Sequence, residues 1–109
     1  MPQSGKFGAA FGFALLAQGA LADTTTYEFT ARNNAAGPIT VAVDGNVRCN
    51  IEAGKTCRLS VTREDAALTY SLAGGTPVSF DAGNLEATDL CNIDASGAHC
   101  VDTTGKPTN

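Results

Sequence analysis

The chain has 109 residues, a formal net charge of −4 from 7 Lys and Arg against 11 Asp and Glu, 12 Gly, 4 Cys and no Trp. That length suits one small domain. Beyond Lys6, its cations (Arg32, Arg48, Lys55, Arg58, Arg63 and Lys106) are scattered among acids, which excludes the basic patch that duplex binding or adhesion to an anionic membrane requires.

The N-terminus reads as a secretory signal peptide. Lys6 supplies a positive n-region, Phe7 to Ala17 the apolar h-region, and Ala20-Leu21-Ala22 an A-x-A cleavage site. The apolar run is shorter than the roughly 20 residues that a membrane span needs, and no lipobox cysteine stands beside the cleavage point. Residues 1–22 are therefore expected to be removed. The mature chain would start at Asp23, periplasmic or extracellular and without a membrane segment. An even cysteine count in an exported chain implies disulfides, which a domain this small needs.

Downstream, apolar residues recur at period two. Thr26 to Asn33 places Tyr27, Phe29 and Ala31 on one face, and Asn34 to Pro38 breaks the run. Ile39, Val41 and Val43 form the next inward set, and Asp44-Gly45 or Gly45-Asn46 signals a tight turn. Val47, Cys49 and Ile51 follow, then Cys57, Leu59 and Val61, then Leu68, Tyr70 and Leu72. Ala73-Gly74-Gly75 is a turn, Val78 and Phe80 mark a short strand, and Asp81 to Thr88 reads as a loop. Leu90 to Ile93 and His99 to Asp102 complete the set, and Thr103 to Asn109 reads as a flexible tail. After the signal peptide no useful stretch shows helical periodicity. The pattern predicts an all-β fold, a small antiparallel β-sandwich or barrel of about seven short strands, over residues 23–102.

The four cysteines fall in two similar cassettes. Cys49-Asn50-Ile51-Glu52-Ala53-Gly54-Lys55-Thr56-Cys57 is echoed, one residue longer, from Cys91-Asn92-Ile93-Asp94-Ala95 to Cys100. With Glu52-Ala53-Gly54 as a three-residue loop and Gly54 left-handed, Cys49 would face Cys57 across a hairpin. With Asp94 to Gly97 as a four-residue loop, Cys91 would face Cys100. Opposed residues at a non-hydrogen-bonded site bring Cβ atoms into disulfide range. Two disulfide-closed hairpins are thus the favoured of three possible pairings. A zinc site is disfavoured, because zinc ligands come in closer pairs. Ile39 to Val61 resembles the small β-domains of the PEGA type through Val41-Ala42-Val43-Asp44-Gly45 followed by strand, turn and strand. The Gly-x-Thr-Pro step usual after that hairpin is absent, and no family assignment is drawn from it.

Nothing in the sequence assembles a catalytic set. His99 is the only histidine, no serine lies in G-x-S-x-G, and the cysteines are not spaced as C-x-x-C. The turn acids Asp44, Glu52, Asp94 and Asp102 read as turn formers, with no EF-hand spacing among them. The expectation is a protein that is not an enzyme and needs no metal or cofactor. It would be an exported binding or structural module that meets a protein or cell-envelope partner. The alternative is an inhibitor of an extracytoplasmic hydrolase or protease that acts through the closed loop 49–57. In that loop Glu52, Gly54 and Lys55 are the candidate contact residues, and Lys55 suits an acidic pocket.

Overall fold

A computed structural model describes residues 25–109, so the predicted signal peptide and its cleavage site lie outside the described residues. Eight strands follow one another and no helix intervenes among them: β1 (Tyr27–Asn33), β2 (Ile39–Val43), β3 (Asn46–Ile51), β4 (Thr56–Val61), β5 (Leu68–Leu72), β6 (Val78–Phe80), β7 (Leu90–Asp94) and β8 (Gly97–Val101). They form two four-stranded sheets, ordered β4-β1-β7-β8 and β3-β2-β5-β6. The fold is a sandwich of eight strands. The barrel alternative is set aside because the two sheets remain separate ladders. The expectation of a wholly antiparallel fold is also corrected: β1 pairs with β7 in parallel, from Thr30 opposite Leu90 to Asn33 opposite Ile93.

The period-two pattern explains the packing. Phe29, Ala31, Ile39, Val41, Val43, Leu59, Val61, Leu68, Tyr70 and Ile93 are buried between the sheets with Cys91 and Cys100. Full burial of each large aliphatic or Phe side chain contributes about 1.5–3 kcal/mol before chain entropy is counted. Glu28, Thr30, Arg32, Arg58 and Ser60 take the intervening positions on β1 and β4 and face solvent, Thr30 only in part. That alternation is what a sheet with one wet face requires. Asp44 and Gly45 both have positive φ (52° and 82°), so the β2–β3 turn is of the type that Asp-Gly favours.

Val47 departs from the pattern and is 60% exposed. Val41 pairs with Cys49, whereas the next β2 residue, Ala42, pairs with Val47. Arg48 is therefore the extra residue of a β-bulge. The bulge turns Val47 to the outer face while Cys49 and Ile51 stay inward.

The two cysteine cassettes are built differently. Cys91 and Cys100 are direct partners in the β7–β8 hairpin, joined by a disulfide with Cα atoms 4.0 Å apart. Asp94 pairs with Gly97, so only Ala95 and Ser96 lie beyond the ladder, fewer than the four residues expected. Cys49 is bonded to Cys57, as expected, but β3 and β4 do not form a hairpin. Cys49 sits on the edge strand of one sheet, opposite Val41, and Cys57 on the edge strand of the other, opposite Ala31. This disulfide, with a wider Cα separation of 6.5 Å, staples the two sheets together. Arg48 adds a second link along the same side by donating to the Ser60 carbonyl at 3.4 Å.

Thr103 to Asn109, expected as a flexible tail, folds back along β8. Pro107 forms a bridge with Val101, and the Thr108 amide donates to the Cys100 carbonyl at 2.9 Å. The Asn109 side chain accepts from the Cys100 amide and donates to the carbonyls of Ala98 and Asp81. The tail thus satisfies the outer edge of β8, which would otherwise present unpaired backbone groups. Its turn is held by the Asp102 carboxylate, which accepts from the Thr104 amide, the Thr104 hydroxyl and the Lys106 amide.

Candidate functional site

Four connections meet at one end of the sandwich: residues 34–38 between β1 and β2, 52–55 between β3 and β4, 73–75 after β5, and 95–96 between β7 and β8. Hydrogen bonds place them side by side. The Gly54 amide donates to the Asn33 carbonyl, the Asn34 amide to the Ile93 carbonyl, and the Ala73 amide to the Pro38 carbonyl, at 2.8–2.9 Å. Both cysteine-bracketed loops therefore flank the same arch, Asn34 to Pro38.

Asn33 is the brace of this end. It occupies an inward position at the end of β1 and is fully buried. Its Nδ2 donates to the carbonyls of Gly37 and Ile51, and its Oδ1 accepts from the Ala35 amide, each at 2.8 Å. Its backbone also pairs with Gly54 and with the Lys55 carbonyl. A buried amide with all these partners fixes local geometry, because an alternative arrangement would leave polar groups unpaired. Next to it, Asn34 Nδ2 donates to Asn92 Oδ1 at 3.1 Å. The two Cys-Asn-Ile motifs thus end on neighbouring residues: the Ile51 carbonyl on the Asn33 side chain, the Ile93 carbonyl on the Asn34 amide. Asn33 follows an alternating Tyr-Phe-Ala face, and that periodicity was the one signal that pointed it inward.

The surface of this end is made of small apolar residues. A cleft of about 200 Å³ lies between the Ala35–Pro38 arch and Leu72, Ala73 and Ala95. A second, of about 270 Å³, lies between Ala36–Pro38 and Glu52-Ala53. Pockets that enclose small molecules are commonly about 300–1,000 Å³ and deeper. Both clefts fall below that range. Glu52 lines the second cleft and is exposed, Lys55 is exposed in the same loop, and Gly54 carries the left-handed backbone expected of it (φ 80°). The Lys55 amide donates to the Glu52 carbonyl at 2.9 Å, so the loop is a closed turn and not an extended segment.

The β7–β8 turn brings together a serine, a histidine and an aspartate, a grouping the sequence reading did not foresee. The Ser96 hydroxyl lies 2.6 Å from Asp94 Oδ1 and 3.1 Å from His99 Nε2, and His99 Nε2 lies 3.9 Å from Asp94 Oδ1. In a nucleophilic triad the histidine takes the serine proton and the carboxylate orients the other ring nitrogen. Here the serine proton points to the carboxylate, which leaves His99 Nε2 as the donor to Ser96 Oγ. The carboxylate touches the same nitrogen, so Ser96 is not activated. The hydroxyl and amide of Ser96, followed by the nearby His99, hold the Asp94 carboxyl below its ordinary value. The arrangement caps the turn.

At the opposite end, Arg63 donates to Asp44 at 2.9 Å and to Asp65 at 2.9 Å. The Ala67 amide and then Arg63 hold Asp44 below the usual carboxylate range. A cleft of about 280 Å³ there is lined by Glu64, Asp65, Phe80, Asp81 and Leu85 among others. Among the described residues no cluster of three or more His, Cys, Asp and Glu is placed to hold a metal ion.

No protein-family model, curated protein or solved structure matches this chain. Two intramolecular disulfides point to an oxidising, extracytoplasmic environment.

Proposed function

We propose that this chain is an exported, non-catalytic binding or structural module that meets a protein or cell-envelope partner through the loop-bearing end. The observation that supports this reading is the convergence of both cysteine-bracketed loops on the Asn34–Pro38 arch, braced from within by Asn33. Braced loops lose little freedom when a partner docks, so more of the contact energy appears as affinity. The small apolar clefts give such a partner places to seat its side chains, with the exposed Glu52 and Lys55 of the adjoining loop to orient it.

The inhibitor reading is less well supported. A substrate-like inhibitor presents an extended segment that can pair as an added strand. The Lys55 carbonyl is instead committed to the Asn33 amide at 3.0 Å. Export followed by cleavage after Ala22 remains part of the proposal, since the motif of residues 1–22 gives the disulfides the compartment they need.

The test is a pull-down from an envelope extract with the mature chain. It is repeated with Ala36→Arg plus Ala95→Arg at the loop-bearing end and with Ser79→Arg on β6. Loss of the captured partner with the first variant alone supports the reading. Equal capture by all three places the contact elsewhere. Inhibition of a trypsin-like protease that disappears in Lys55→Ala would favour the alternative.

A further inference from the structure

We propose that the Cys49–Cys57 disulfide is a thiol–disulfide exchange site, reversibly reduced by a dithiol oxidoreductase, while Cys91–Cys100 is a permanent structural bond. The two bonds differ in how a nucleophile can reach them. Cys91 and Cys100 are 0% and 1% exposed, on adjacent strands with the core on one side. The C-terminal tail lies along the outer edge of β8, its Thr108 amide on the Cys100 carbonyl. An attacking thiolate needs a line of approach along the S–S axis, and these sulfurs offer none in the folded state.

Cys49–Cys57 lies where the two sheets leave their edges open. Cys49 is on edge strand β3 and Cys57 on edge strand β4, with no further strand beyond either. Cys49 is 8% exposed and Cys57 is half-buried. Cys57 Sγ sits in an exposed contact 3.6 Å from the Arg58 carbonyl oxygen. A disulfide sulfur has no proton to donate there, so the contact does not hold it. Arg48, Lys55 and Arg58 flank the two cysteines in sequence. On a chain of negative net charge they favour the approach of a thiolate and the departure of another, although Arg58 is partly engaged by Glu28 at 3.1 Å.

The exchange follows from these positions. A thiolate of the partner attacks Cys57 Sγ. A mixed disulfide forms, the Cys49–Cys57 bond breaks, and Cys49 Sγ leaves with the electron pair and takes a proton from water. The partner's second thiol gives its proton to water and attacks the partner's own sulfur in the mixed disulfide. The partner is thereby oxidised to its disulfide and Cys57 leaves as a thiolate that takes a proton from water, so two electrons have passed to this chain. The exchange requires the fold to survive the change, and the remaining contacts are those that would hold it. The Asn33 bonds, both sheets and Cys91–Cys100 do not depend on the lost bond, and Arg48 still links β3 to the Ser60 carbonyl.

The experiment uses the oxidised mature protein under native conditions. Graded dithiothreitol is followed by quenching with an isotope-coded alkylating agent and peptide mapping. Cys49 and Cys57 are expected to be labelled roughly tenfold faster or more than Cys91 and Cys100. The rate should be proportional to dithiothreitol concentration, with an unchanged circular dichroism spectrum. Equal rates for the two bonds, reduction of Cys91–Cys100 first, or a rate independent of dithiothreitol, which marks global unfolding as the limiting step, would each overturn the assignment. A thioredoxin with its resolving cysteine replaced by serine should be trapped on Cys57. An adduct on any other cysteine, or no adduct, rules out the proposed partner class.

Discussion

Replacing Asn33 by Ala removes a side chain that is fully buried and makes three hydrogen bonds of 2.8 Å. The Ile51 carbonyl would be left unpaired in a buried position, and such an orphan costs about 1–3 kcal/mol. The Gly37 carbonyl and Ala35 amide are partly accessible, so water can replace part of what they lose, at about 0.5–1.5 kcal/mol each. The sum is about 2–6 kcal/mol, a large share of the roughly 5 kcal/mol or so that a domain of this size commands. A loss of 1 kcal/mol lowers the melting point of a 60–100-residue domain by about 4–8 °C, so a fall of at least about 8 °C is expected. Urea and thermal unfolding followed by circular dichroism measure it. Hydrogen exchange should show the Ala35 and Gly54 amides losing protection first. Asn33→Asp should be worse than Asn33→Ala at neutral pH, because a carboxylate would face the Gly37 and Ile51 carbonyls. Burial raises that carboxyl's folded pKa above its unfolded value, so the deficit should shrink as the pH falls. A loss under about 1 kcal/mol in Asn33→Ala, below the usual range for a buried orphan, would refute the role given to Asn33 as the brace.

The two disulfides should contribute unequally. Cys49→Ala with Cys57→Ala should cost about 2–3 kcal/mol, the chain-entropy value for a short loop. Cys91→Ala with Cys100→Ala should cost more in the same urea titration, because both of its sulfurs are fully buried in the core, whereas Cys57 of the other pair is only half-buried. Gly83→Ala combines a backbone at φ 79° with a Cβ that would run into the Thr108 carbonyl. It should cost about 1–3 kcal/mol and speed exchange at the Thr108 amide. Gly45→Ala, with φ 82° but open space around the new carbon, should leave that amide unaffected. The folded-state pKa values of Asp44, Asp94 and Asp102 are depressed by hydrogen bonds. The stability they add is therefore present above the unfolded value of about 3.9 and is lost as the pH falls through their folded values. Asp102→Ala should flatten that acid limb in pH-dependent melts, and wild-type stability unchanged down to pH 2 would contradict it.

What the sequence made legible follows its period. Phe29, Ile39, Val41, Leu59, Leu68, Tyr70 and Ile93 alternate with polar or small neighbours, and all of them are in the core. Asp44-Gly45 names its own turn. Asp81 to Thr88, read as a loop, lies between β6 and β7. Partnership between distant strands is another matter. Glu52-Ala53-Gly54-Lys55 has hairpin chemistry, yet it joins strands that diverge into opposite sheets, and a short Gly-containing turn serves either course. The bulge at Arg48 shifts Val47 by one position without any Gly or Pro to announce it. The tail is polar and contains Pro107, features of a frayed end, but its Asp102, Thr108 and Asn109 side chains find partners in residues distant in sequence or in the tail's own turn, and no local pattern announces them. The inward place of Asn33 follows from the alternation of β1, whereas its partners at Gly37 and Ile51 are set by how the loops close around it.

The parallel pairing of β1 with β7 also governs when this domain can fold. Asn33 lies beside Ile93 and Thr30 beside Leu90, contacts between opposite ends of the described chain. Closing so long a stretch costs entropy before the contact returns any stabilisation, so high contact order predicts slow folding. During synthesis from the N-terminus, β1 can meet β4 early, but its other edge stays open until Leu90 to Ile93 have emerged. A nascent chain that stops short of them holds a sheet with one raw, apolar-backed edge. Such an edge is a template for pairing with neighbouring chains, so the hazard of aggregation lasts until the last third of the chain has arrived.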